Sequence, residues 1–167
     1  YRDEEANPVE RAWAFWICTN LGFSNKITGG LKWSNKRGNS VPHMLAGKKD
    51  RFTSLLQRRI ENAVIENKDA LEVLKSRDTA DTLHYVDPPY INCHQGHYGG
   101  YGASDYGNLL EVLASLKGGF VLSCFPSELM TDFLEKEGWF IKEFDMTSSA
   151  RRKEKPPRKR ELLVSNY

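Results

Sequence analysis

The 167-residue chain is 40% hydrophobic and 11% aromatic, enough to bury one sizeable core but not two, so one domain carrying an insertion is expected. Its formal net charge of +2 excludes a polycation, and any attraction to nucleic acid has to come from local clusters. No run approaches the roughly 18 to 20 apolar residues of a membrane span, and the opening Tyr1-Arg-Asp-Glu-Glu is not a signal peptide, so no membrane partner is expected.

Residues 8–20 (PVERAWAFWICTN) open with Pro8 and carry Trp13, Trp16 and Ile17 at helical spacing, predicting an amphipathic helix with a buried aromatic stripe. From Gly22 to Lys49 the pattern dissolves into Gly, Ser, Asn and Lys, which predicts an irregular insertion. Arg51 to Asn62 places Phe52, Leu55, Leu56 and Ile60 on one face of a surface helix, and Ala63-Val64-Ile65-Glu66 follows as a short strand. Asp69 can cap the next helix, DALEVLKS, and Leu83 to Val86 forms a buried strand ending at Asp87. Ser104 or Asp105 caps a helix through Leu116, GGFVLSCF is a strand, and Pro126 to Glu137 is helical. Trp139–Asp145 and Glu161–Asn166 make a closing pair of strands around a basic loop; with no helix between them they pair antiparallel. Strands alternating with helices predict an α/β sandwich of three layers on a mainly parallel sheet. The expected division is residues 1–50, a helix plus a target-recognition insertion, and residues 51–167, a partial catalytic α/β domain.

The chemistry sits in Asp87-Pro88-Pro89-Tyr90, where a strand ends and ligands of open α/β sheets collect. The tetrapeptide arises by chance in about one chain in a thousand of this length, so it outweighs the bland alternative of a rigid turn. It suits methylation of an adenine amino group, whose lone pair is delocalised into the ring. A carboxylate from Asp87 and the Pro88 carbonyl can accept the amino hydrogens and favour a tetrahedral nitrogen with a localised pair. The base must first leave the duplex stack, and the Tyr90 ring can receive it.

LHYVDPPY, preceded by VIENKDALEVL and followed by the helix, the GGFVLS strand and the ELLVSNY ending, resembles the Dam-like adenine-specific DNA methyltransferases across roughly residues 51–167. The resemblance implies an S-adenosylmethionine-dependent, Rossmann-like fold. It gives Asp87, Pro88 and Tyr90 the flipped adenine, with Asp69 and Asp87 on the cofactor side; Asp69 serves equally as a helix cap. Double-stranded DNA is the implied partner, with a cognate restriction endonuclease as a further one in a bacterial or phage setting. A catalytically incomplete DNA-binding remnant of such an enzyme is the alternative. Methylation of RNA bases or of a glutamine is the third, disfavoured because those enzymes usually begin the motif with Asn.

The family's Phe-x-Gly-x-Gly turn, which cradles the methionine end of the cofactor, is absent from residues 1–86, and the chain opens on Tyr, so a fragment inactive by itself is expected. Gly99-Gly100-Tyr101-Gly102 does not replace that turn, because it follows NCHQGHY rather than a strand and Asp105 stands where the third glycine belongs. The loop NCHQGHYGGYGAS reads better as a cover closing over the base. Cys93, His94 and His97 lack the second ligand pair of a structural zinc site, so no metal is expected. Cys18, Cys93 and Cys124 suit reduced thiols in the cytoplasm, and none stands in the Pro-Cys context of cytosine-methylating enzymes. Residues 151–160 carry seven basic side chains, among them Arg151, Arg152 and Lys159, which read as phosphate contacts or as a solvated loop. Lys26, Lys32, Lys36, Arg37, Lys48 and Lys49 in the insertion read as DNA-recognition contacts or as an ordinary lysine-rich surface.

Overall fold

The computed structural model describes residues 5–22, 30, 41–91, 100–147 and 158–167, without the side chains of 146, 147, 158 and 159. It divides into two compact units, Tyr1–Ile65 and Glu66–Tyr167. The division falls later than the expected boundary at residue 50. Phe52 explains part of this, because its ring packs edge-on against Trp16 at 5.4 Å between centroids and ties the following helix to the first.

In the first unit, α1 (Pro8–Leu21) begins where sequence places it: the Asn7 side chain accepts from the Val9 amide at 2.8 Å and Pro8 takes the first helical position. The aromatic stripe is only partly buried. Trp13 stacks on Trp16 at 4.8 Å, but Leu21 is the buried residue of this helix. The supposed irregular insertion contains a helix, α2 (Val41–Lys49). Pro42 is tolerated in its first turn, and Lys48 and Lys49 complement the dipole of its last. The Lys48 ammonium donates to the Asn20 carbonyl at 3.0 Å and to its side-chain oxygen at 2.9 Å, satisfying acceptors at the end of α1. Helix α3 (Ser54–Ile60) leaves its apolar face exposed. The strand expected at residues 63–66 does not form. Among the described residues no neighbour supplies a ladder, and Val64 and Ile65 are 80% and 88% exposed.

The second unit holds α4 (Ala70–Arg77), β1 (Leu83–Val86), α5 (Ala103–Ala114), β2 (Gly119–Cys124), α6 (Glu128–Glu137), β3 (Phe140–Thr147) and β4 (Arg158–Ser165). The sheet order is β1-β2-β4-β3: β1 and β2 run parallel, as a helical crossover requires, and β4 lies antiparallel to both β2 and β3. Three strands therefore share one direction, and the sheet is mixed because β4 enters between β2 and β3. Helix starts shift slightly from expectation. α6 begins at Glu128 rather than Pro126, capped by Ser127, which accepts from the Met130 amide, and α5 begins after Gly102, whose N–H donates to the N3 residue Asp105 at 2.8 Å. Gly138, with φ of 67°, ends α6 in the left-handed conformation that glycine adopts without strain.

Alternation along the strands sends Phe120, Leu122, Cys124, Leu162 and Val164 to one face, where they pack with Leu74 of α4, Tyr106, Leu110 and Leu113 of α5, and Met130 of α6. Trp139 closes this core, edge-on to Phe120 and stacked on Phe133. Helices α4, α5 and α6 thus cover a single face. On the opposite face Leu83, Tyr85 and Phe140 are 62%, 68% and 63% exposed, so among the described residues of this unit helices cover one face of the sheet, whereas three layers were expected.

The end of the sheet where β1 begins is locked by Asp78. Its carboxylate accepts from the backbone amides of Lys117 at 2.8 Å and Gly118 at 3.0 Å, with His84 Nε2 3.5 Å away. Those two amides first, and His84 after them, hold the Asp78 carboxyl below its ordinary value. Gly118 is obligatory here: a Cβ would lie 2.4 Å from the Thr82 carbonyl oxygen and 2.6 Å from that of Thr79.

Candidate functional site

The opposite end of the sheet gathers the C-terminal ends of β1, β2 and β3 and the start of β4. β1 stops at Val86 because Pro88 and Pro89 cannot donate to a ladder. Asp87, the first residue outside the strand, is exposed, and its carboxylate has no hydrogen-bond or ion-pair partner among the described residues. Pro88 and Pro89 are half-buried and hold the chain as it turns.

Tyr90 crosses from this turn to the neighbouring strands. Its hydroxyl donates to Glu161 Oε1 at 2.6 Å and lies 2.6 Å from Ser123 Oγ, which itself donates to Glu161 Oε1 at 2.9 Å. The ring meets Phe125 edge-on, with centroids 4.4 Å apart. Burial first, and the Glu161 carboxylate next, push the hydroxyl well above the ordinary tyrosine range, with the charge of Asp87 adding to the effect. The hydroxyl therefore stays protonated and serves as a donor at any physiological pH. The turn thus places an uncommitted carboxylate, carbonyls on a proline-stiffened backbone and an anchored aromatic ring at one strand end. Such a group can accept hydrogen bonds from a planar amino group and pack against its ring.

Asp69 is a helix cap. One of its oxygens, Oδ1, accepts from the amides of Leu71 at 2.9 Å and Glu72 at 3.3 Å, while Oδ2 faces no donor among the described residues. Asp69 and Asp87 belong to the same unit, so the sequence-predicted pair share one body. Cys124, beside Ser123, is a packing residue: burial pushes its thiol up, and the Tyr106 hydroxyl lies against it.

Of the basic residues singled out, Lys32, Lys36, Arg37, Arg151 and Arg152 lie outside the described residues, as do Cys93, His94, His97 and most of the expected cover loop. Lys159 does not belong to a loop. The closing hairpin is longer than its apolar pattern, and Lys159 is a strand residue opposite Met146. Its neighbour Arg160 lies 3.5 Å from Glu143 in an exposed ion pair. Because Leu162 stands opposite Cys124, residues 158–161 continue past the end of β2 on the side where Asp87 lies. Among the described residues no cluster of His, Cys, Asp and Glu could hold a metal ion, and no helix is long and apolar enough to cross a membrane.

Sequence reasoning missed Ser123, Phe125 and Glu161. Ser123 and Phe125 lay within a run read only as a strand, and Glu161 stood at the edge of a run of basic residues. For Ser123 and Glu161 the one visible signal was polarity in otherwise apolar strands, FVLSC and ELLV, and Phe125 carried none. Neither the models of known protein families nor the curated proteins match this chain.

Proposed function

We propose that this chain carries the target-base half of an adenine-specific DNA methyltransferase, in a Rossmann-like layout of which the mixed sheet and its helical crossover are part. The observation that carries the reading is the exposed carboxylate of Asp87 at a strand end, without a partner among the described residues and followed in the chain by two prolines and the anchored ring of Tyr90. Asp87 and the Pro88 carbonyl accept the two amino hydrogens of an extruded adenine. This localises the nitrogen lone pair and aims it outward, while the base packs on Tyr90. The proton shed by the nitrogen on methylation leaves through its hydrogen bond to Asp87, which is open to solvent.

S-adenosylmethionine supplies the methyl group when bound. Asp69 fits its adenosine end, because capping uses one carboxylate oxygen and leaves Oδ2 available to a ribose hydroxyl. No glycine turn suited to its methionine end occurs in residues 1–86. The seven basic residues at 151–160 suit the backbone of a duplex.

Labelled methyl transfer from S-adenosylmethionine into unmethylated duplex DNA, by the full polypeptide that carries these residues, tests the reading. Label is expected in N6-methyladenine, falling about 100- to 1000-fold in Asp87→Ala. Label in cytosine, transfer to RNA alone, or an undiminished Asp87→Ala would sink it.

A further inference from the structure

Glu161 is a half-buried carboxylate on the sheet face opposite the helices, and no cation pairs with it among the described residues. It is held instead by two hydroxyls, Tyr90 at 2.6 Å and Ser123 at 2.9 Å, and those two hydroxyls also touch each other at 2.6 Å. Burying a carboxylate, even in part, costs free energy that an apolar residue at the same place would not. What the arrangement achieves is orientation. Tyr90 follows two prolines, and its ring turns about two side-chain torsions. Ser123 on β2 and Glu161 on β4 fasten the far end of its ring, and Phe125 meets its edge. Hydrogen bonds to an ionised acceptor are short and strong, which suits them to fixing a ring angle.

We propose that Glu161, together with Ser123, is a positioning residue that holds the Tyr90 ring in the orientation that stacks on the extruded base, an inference that rests on the proposed function. It acts on the step that follows extrusion, so it governs the rate of transfer rather than capture of the duplex, which depends on phosphate contacts.

The test is a double-mutant cycle in the full polypeptide: Tyr90→Phe, Glu161→Ala and the pair together. Rates are normalised to the fraction of molecules that bind duplex, so a loss of folded protein does not register. Each single variant is expected to fall about 10- to 100-fold in transfer rate, with KM for the duplex within about 3-fold of wild type. Tyr90→Phe alone already breaks the Tyr90–Glu161 bond, so the double variant should fall within about 3-fold of the worse single one. Glu161→Gln, which keeps an acceptor oxygen, should recover most of the rate. If Glu161→Ala does not fold, Ser123→Ala takes its place in the cycle. An active wild type with effects that multiply in the double variant, or with Glu161→Ala as fast as wild type, overturns the positioning role and leaves the proposed function standing. A wild type that transfers no methyl group to adenine overturns the proposed function and this inference with it.

Discussion

Asp78 stands at the end of the sheet where β1 begins, and Asp87 stands where it ends. The Asp78 carboxylate is spent on the fold: two backbone amides of the turn before β2 donate to it, His84 lies beside it, and the backbone packs too closely there to admit any side chain at Gly118. The Asp87 carboxylate is engaged by none of the described residues, while the tyrosine three positions later is tied to two neighbouring strands. One carboxylate builds the sheet and the other is left over by it. Functional chemistry is found by asking which polar groups the fold leaves unsatisfied, since a satisfied group has nothing to offer a ligand.

Neutralising each carboxylate in turn gives the largest expected effect. Asp87→Asn should cut methyl transfer by about 100- to 1000-fold and leave the thermal midpoint where it was, whereas Asp78→Asn should lower the midpoint and keep transfer near the wild-type rate. Calorimetry beside a transfer assay reads both. A destabilised Asp87→Asn would mean that this carboxylate has a structural partner after all, and the contrast between the two ends would collapse.

Gly118→Ala probes the crowded end alone. A methyl group aimed at two carbonyl oxygens closer than any real contact forces the backbone of the Asp78 turn to shift, at a cost of about 1 to 3 kcal/mol. The urea midpoint should drop accordingly, with the denaturant slope and the transfer rate of the remaining folded protein unchanged. An unaltered midpoint would show that the turn has room to relax.

Acid probes the same end. The amides of Lys117 and Gly118, and then His84, depress the Asp78 carboxyl below its ordinary value of 3.8 in the folded protein. A depressed carboxyl contributes stability that is complete above its unfolded value and is lost as pH falls through the folded one. The window therefore lies below about pH 4. Asp78→Asn, which does not titrate, should lose less stability than wild type between about pH 5 and pH 2. Identical acid limbs for the two proteins would remove Asp78 from the account.

The contrast between the two ends was only half legible in the sequence. LHYV followed by DPPY gave both the strand and its stop, because an apolar run closed by two prolines has few other readings. The closing hairpin was legible from the missing helix between its strands. The insertion of β4 between β2 and β3 was not, since no local pattern encodes strand order, and Glu161 went unseen with it: it meets Ser123 and Tyr90 only through that register. Residues 63–66 show the converse. Val64 and Ile65 have strand propensity, but a strand needs a partner as well as a sequence. In α2, Pro42 and Gly47 hid a helix whose lysines are placed for its last turn.

The smallest expected effect concerns charge rather than chemistry. β3 ends at Thr147 and β4 begins at Arg158 at the same end of the sheet as Asp87, and the basic run at 151–160 is contiguous in sequence with that end. Arg160 is partly answered by Glu143, but an exposed pair of that kind contributes little and does not remove the residue from solvent. If Arg151 and Arg152 touch phosphates, replacing both with Gln should weaken binding to specific and scrambled duplexes alike. The slope of log affinity against log salt should flatten by about one unit for each phosphate no longer neutralised. A base-reading role would instead change the preferred sequence and leave most of the slope intact. Affinities for the two duplexes at several salt concentrations separate these outcomes. An unchanged slope with unchanged affinity would return the run to solvated surface and leave Asp87 without a charged neighbourhood to guide a duplex toward it.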